Sequence, residues 1–143
     1  MLGTGLANGI EAALPALRKS PCAQLVAMSS TVAYGALPRA EAYGASKAAI
    51  RYLIESLRID LRAEPISLTV VCPGFVKTRL TDRNDFAMPF IIGADKAARI
   101  IVDGVVARRS EIHFPKRFSL SFKIAAMLPG PVYTRLTALL TGN

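Results

Sequence analysis

What is scarce narrows the possibilities first. The 143 residues include no tryptophan, one histidine (His113) and two cysteines, Cys22 and Cys72, fifty positions apart. With no cluster of Cys and His, a dedicated zinc site is not expected. Two distant cysteines suit free thiols in a reducing cytoplasm better than a disulfide framework. No apolar run approaches the roughly 20 residues that cross a bilayer. The opening "MLGTGLANGIEAALPALRKS" lacks the early basic region and apolar core of a signal peptide. The expectation is a cytoplasmic chain.

Acid is also in short supply. Ten Asp and Glu face eighteen Lys and Arg, a formal charge of +8. Such a balance draws in nucleic acid, anionic lipid or phosphorylated ligands, and speaks to encounter rather than to fold. Nucleic acid is not the expected partner, because no stripe of basic residues is interleaved with stacking aromatics. The basic residues gather late: Arg108, Arg109, Lys116, Arg117, Lys123 and Arg135 fall within 28 positions.

What is present reads as a single domain over 1–143, just over half apolar and long enough to bury a core. Apolar spacing predicts a helix over Leu6–Lys19. "AQLVAMSS" (Ala23–Ser30) reads as a strand buried on both faces, ending in small polar residues. A second helix is expected over about Ala42–Ala63, closed by Pro65, and "SLTVVCPG" (Ser67–Gly74) reads as a second buried strand. A helix over about Ala94–Arg108 and a short strand over Glu111–Pro115 follow. The basic, apolar tail over 116–143 is expected to be helical in two pieces around "PGP" at 129–131. Alternating helices and strands in this rhythm imply an α/β fold with about three parallel strands and flanking helices. Such sheets bind ligands at the carboxyl ends of their strands, here Ser29-Ser30 and Pro73-Gly74.

"AYGASKAAIRYLIESL" (42–57) begins a helix with small residues around a tyrosine and a lysine four positions apart. That spacing puts Tyr43 and Lys47 on one face. A phenol in water titrates near 10, and a nearby cation or a helix N-terminus favours its ionised form. Tyr43 is therefore a candidate proton donor to a carbonyl oxygen, or base toward an alcohol. Ser30, thirteen residues earlier, is placed to hydrogen-bond the same oxygen. Taken alone, a Tyr and Lys at this spacing are more often a surface pair, and Ser-Ser or Pro-Gly at a strand end is usually a turn. The order and spacing of all three carry the reading.

"SS" at 29–30, "YGASK" at 43–47 and "PGFVKT" at 73–78 resemble the catalytic half of the short-chain dehydrogenase/reductase family. The resemblance covers nearly the whole chain and loosens after Pro115. It implies a partial Rossmann-type, doubly wound parallel sheet binding NAD or NADP. It also implies hydride transfer between that cofactor and a small-molecule secondary alcohol or carbonyl. By position, Tyr43 is the implied general acid/base and Ser30 orients the substrate oxygen. Lys47 holds the nicotinamide ribose and favours the ionised tyrosine, and Pro73, Gly74, Val76 and Thr78 line the nicotinamide. The segment 79–93 matches the family's variable substrate cover. Its Phe86, Met88 and Phe90 point to a hydrophobic substrate or to ordinary cap packing. Helices 6–19 and 42–63 correspond to those that pair in family dimers, so a homo-oligomer is expected.

Two features depart from the family. "GTGLANG" (3–9) has glycines, but no strand precedes it, so the context of a dinucleotide-binding turn fails. The N-terminal βαβ half that carries that turn is expected to lie outside this chain. Leu2 falls where many members carry a catalytic asparagine that anchors a relay water, which puts Met1 within a longer reading frame or at the start of a truncated one. The alternative to an enzyme is a catalytically silent fragment that acts through association. The tail reads as an amphipathic cover of the cleft or a subunit contact, with docking on an anionic membrane surface as the other reading.

Overall fold

The computed structural model of the chain describes residues 2–79, 81 and 88–142. In chain order it forms α1 (Leu2–Lys19), β1 (Gln24–Met28), a 3-10 turn (Thr31–Tyr34), α2 (Glu41–Asp60) and β2 (Ser67–Pro73). Then come β3 (Val76–Lys77), β4 (Ile92–Gly93), α3 (Ala94–Val106), β5 (Glu111–Phe114), α4 (Lys116–Ala125) and α5 (Gly130–Thr141).

The main sheet is parallel, in the order β1-β2-β5, with Ala27 opposite Val70 and Val70 opposite Glu111. β2 lies between the other two, and a central parallel strand must be apolar on both faces. Val70, Val71 and Cys72 are accordingly fully buried. One face packs Ala27, Leu68, Val70 and Cys72 against Ile10 of α1 and Ile50 and Ile54 of α2. The other packs Val71, Ile112 and Phe114 against Ala97 of α3. Helices on both faces make the sheet doubly wound, as the family resemblance implied.

β1 departs from its expected burial. Ala27 faces the helices, but Val26 and Met28 on the opposite face are 39% and 48% exposed. The reason is reach: α3 packs on β2 and β5, and no described element covers this end of that face.

Most boundaries shift by a few residues. α1 begins earlier than Leu6, so "GTGLANG" lies inside a helix. α2 stops at Asp60, where the Leu61 N–H turns back to the Leu57 carbonyl at 2.8 Å before Pro65. α3 stops at Val106 because Arg108 takes a left-handed conformation, φ 50°. The small sheet of β3 and β4, two residues each, left no periodic trace in the sequence.

Two contacts tie the layers at the amino ends of the strands. The Arg58 guanidinium donates to the Ser110 carbonyl at 2.8 Å, and Thr69 Oγ1 donates to the Arg109 carbonyl at 2.8 Å. Gly104 brings α3 close to β5: a Cβ there would lie 2.5 Å from Ile112 Cδ1.

Candidate active site

The site grows from the carboxyl ends of β1 and β2. The Ser29 N–H donates to the Val71 carbonyl at 2.7 Å, which carries the parallel pairing one residue past β1. Ser29 itself is buried, and its hydroxyl donates to the Lys47 carbonyl at 2.8 Å, joining the strand end to the second turn of α2. Ser30 caps the 3-10 turn. Its Oγ accepts from the Val32 N–H and donates to the Pro73 carbonyl, both at 3.4 Å. Those distances are longer than ordinary hydrogen bonds, so the hydroxyl is only loosely engaged.

Tyr43 and Lys47 stand one turn apart near the start of α2. The Lys47 ammonium lies 5.7 Å from the centre of the Tyr43 ring and donates to the Met28 carbonyl at 3.2 Å. Both ends of Lys47 thus touch the end of β1: its carbonyl through Ser29, its ammonium through Met28. Tyr43 is 52% exposed. Gly44 keeps the helix close to the 3-10 turn, since a Cβ there would meet Val32 Cγ2 at 3.3 Å.

The other wall follows β2. The Gly74 N–H donates to the Phe114 carbonyl at 2.7 Å. A Cβ on Gly74 would lie 3.1 Å from that oxygen, from the Phe118 ring and from Pro115, a crowded approach that favours glycine. Val76 then pairs with Ile92 across the small sheet. Thr78 closes a turn with Thr81: the Thr78 N–H donates to Thr81 Oγ1 at 2.8 Å, and Thr81 Oγ1 donates to the Val76 carbonyl at 3.1 Å. Thr81 was not among the expected residues; a second threonine three positions on was its only trace in the sequence.

Of the expected substrate residues, Phe86 lies outside the described residues. Met88 is half-buried, and Phe90 is exposed, with a left-handed backbone (φ 58°). The Phe90 ring lies 6.4 Å from Phe118, which in turn lies 5.6 Å from Phe75 and 5.0 Å from Phe122. The aromatic neighbourhood therefore extends to Phe75 and to α4, residues the sequence did not single out. α4 itself packs on β5 and the 3-10 turn.

Sequence reasoning also missed a polar cluster beneath the site. The Tyr34 hydroxyl donates to Glu111 Oε1 at 2.5 Å, and the Lys123 ammonium pairs with the same oxygen at 2.5 Å. Lys123 and Arg51 also lie over the Tyr34 ring, at 4.9 and 5.1 Å from its centre. Burial, then contacts with Cys72 and Glu111, push the Tyr34 phenol far above its ordinary value, so it remains a donor. Burial raises the Glu111 carboxyl, but hydrogen bonds from Lys123 and Tyr34 outweigh it and hold the group below the usual carboxylate range. The partners come from four separate elements, a convergence that no local spacing reveals.

The donor set fits half of a dinucleotide. An ammonium has three N–H groups, and the Lys47 contact with Met28 uses one of them, which leaves donors for a pair of ribose hydroxyls. No glycine-rich turn between a strand and a helix offers a pyrophosphate cradle among the described residues.

Comparison with known proteins gives this geometry a context. Residues 3–87 match the short chain dehydrogenase family. The chain is 36% identical over 130 residues to an uncharacterized oxidoreductase of Myxococcus xanthus, covering 91% of this chain and 51% of the relative. It is 33% identical over 136 residues to 11-beta-hydroxysteroid dehydrogenase 1A of Arabidopsis thaliana, covering 83% and 38%. A short chain dehydrogenase from Burkholderia cenocepacia, solved in complex with NADP, superposes with a TM-score of 0.78 at 24% identity, over 93% of this chain and 54% of that one. The chain spans about half the length of its Myxococcus xanthus relative. From the family match over residues 3–87, the chain belongs to the short-chain dehydrogenase family.

Proposed function

We propose that this chain supplies the proton-transfer and nicotinamide half of an NAD(P)-dependent oxidoreductase acting on a secondary alcohol or carbonyl. The observation that carries the reading is Lys47, held between the Met28 carbonyl and the Tyr43 ring at the carboxyl end of the sheet. Tyr43 gives its proton to the carbonyl oxygen in reduction and takes it from the hydroxyl in oxidation. Lys47 stabilises the phenolate that remains and holds the hydroxyls of the nicotinamide ribose. Ser30, loosely bonded to Pro73 and Val32, turns its hydroxyl to the same substrate oxygen. Pro73, Gly74, Val76 and Thr78 form the wall against the nicotinamide. When held there, NAD or NADP would supply the hydride.

Met88, Phe90 and the rings of Phe75 and Phe118 favour an apolar substrate, in keeping with the hydroxysteroid dehydrogenase names among the relatives. Self-association is read through α1 and α2, the counterparts of the helices that pair in family dimers. On α2 Tyr52 is exposed, and an open groove of about 450 Å³ runs past Ala48 and Ala49.

The test joins this chain to the N-terminal half of its Myxococcus xanthus relative and measures turnover of apolar ketones with NADH and NADPH. Tyr43→Phe removes the transferable proton and almost no volume. It is expected to lower kcat by about 10²- to 10⁴-fold with cofactor affinity unchanged. Near-normal turnover in that variant overturns the role of Tyr43.

A further inference from the structure

α5 is the least buried helix of the fold: none of its residues is buried. It is held to the body by Tyr133, whose hydroxyl donates to the Ala36 carbonyl at 2.6 Å. Its exposed apolar residues are Val132, Leu136, Leu139 and Leu140, at positions i, i+4, i+7 and i+8, which form one stripe of a helix. Leu139 and Leu140 are nearly four-fifths exposed. α4 adds Leu120 and Ile124, one turn apart, and the turn between the helices exposes Met127.

The charge on this part of the chain has one sign. Residues 112–143 contain Lys116, Arg117, Lys123 and Arg135 and no Asp or Glu. Lys123 is paired with Glu111, while Lys116, Arg117 and Arg135 are exposed. α4 packs on β5, which is the sheet edge opposite β1. Continuation of the sheet beyond β1 would therefore build away from the edge on which α4 packs.

We propose that the α4–α5 surface docks on an anionic lipid membrane. An apolar stripe on a segment whose only charges are cations is the pattern that lies in a lipid interface, with leucines in the acyl boundary and Lys and Arg among anionic headgroups. A second copy of the chain is the poorer match, because it would bring a second set of cations against the first. An RNA partner has no use for the leucines.

The experiment is co-sedimentation of the full chain with phosphatidylcholine vesicles, with and without phosphatidylglycerol. Binding is expected only with phosphatidylglycerol and is expected to fade as salt screens the charges. Leu136→Glu with Leu139→Glu, neither of them assigned to the candidate site, should cut the bound fraction by at least about tenfold. Because the chain has no tryptophan, Leu139→Trp supplies a sole reporter whose emission should shift to the blue on the anionic vesicles. No sedimentation and no shift at low salt overturns the proposal. So does a concentration-dependent dimer that the Leu→Glu pair abolishes while vesicles bind nothing.

Discussion

The ammonium of Lys47 donates to the backbone carbonyl of Met28 at 3.2 Å, while the Lys47 carbonyl accepts from Ser29 at 2.8 Å. One residue of α2 therefore grips the end of β1 at both its backbone and its side chain. The grip holds the turn after Ser30 and the start of α2 in register, and it aims the cation past the Tyr43 ring. Lys47→Met keeps the length and removes the donor. Urea unfolding should show a loss of about 1–2 kcal/mol, and a midpoint equal to the parent's would show that the contact contributes nothing.

Glu111 makes the fold sensitive to acid. Its carboxyl is held below the usual range in the folded chain, so the unfolded chain binds a proton first as pH falls. The stabilisation is full above the unfolded carboxylate value and is lost as pH falls through the lower, folded value. Glu111→Gln should flatten the urea midpoint against pH in that window. A parallel curve in the variant would place the acid sensitivity elsewhere.

His113 adds a second dependence. Burial is the main cause that lowers its titration, followed by Lys123 nearby. Its Nδ1 lies 2.6 Å from the Ser119 hydroxyl. The unfolded chain takes up this proton first, so stability is full above about 6.5 and declines as pH drops toward the folded value. NMR titration of the single histidine checks the direction: an imidazole that protonates above 6.5 contradicts it.

Gly104→Ala should destabilise the chain although alanine is the better helix former. The new methyl would lie 2.5 and 2.6 Å from Cδ1 and Cγ1 of Ile112, which is itself buried. Overpacking of this kind costs about 1–3 kcal/mol, against a propensity gain of about 1 kcal/mol. A net loss is expected in urea unfolding, and Ile112→Val in the same chain should restore part of it.

Cofactor binding by the 143-residue chain should be weak. In the proposed reading Lys47, Tyr43 and the 73–78 wall serve only the nicotinamide end, and the glycines at 3–9 lie within α1, where no described strand delivers a pyrophosphate to a helix N-terminus. Forgoing several charge-assisted hydrogen bonds, each about 1.5–3 kcal/mol, weakens affinity by orders of magnitude. Calorimetric titration with NADH and NADPH measures this directly. Micromolar binding would mean that a second phosphate site exists.

Local pattern was enough for the parallel α/β fold, the pairing of Tyr43 with Lys47, and Ser30 and Pro73-Gly74 at strand ends. Helical spacing, β-branched runs and Pro-Gly stops are all written within a few residues of one another. The same logic explains what the sequence did not reveal. Whether β1 is covered on both faces depends on how far α3 reaches, so Val26 and Met28 read as core and stand in solvent. Phe118 joins Phe75 and Phe90 only because α4 folds back beside the loop after β2. Tyr34, Glu111 and Lys123 meet from positions up to 89 residues apart in the chain. Residue types and their near neighbours determined the elements and the placing of Tyr43 and Lys47 one turn apart on α2. Tertiary packing alone decided which side chains from distant elements share a site, because burial and long-range contact are properties of the assembled layers rather than of any one segment.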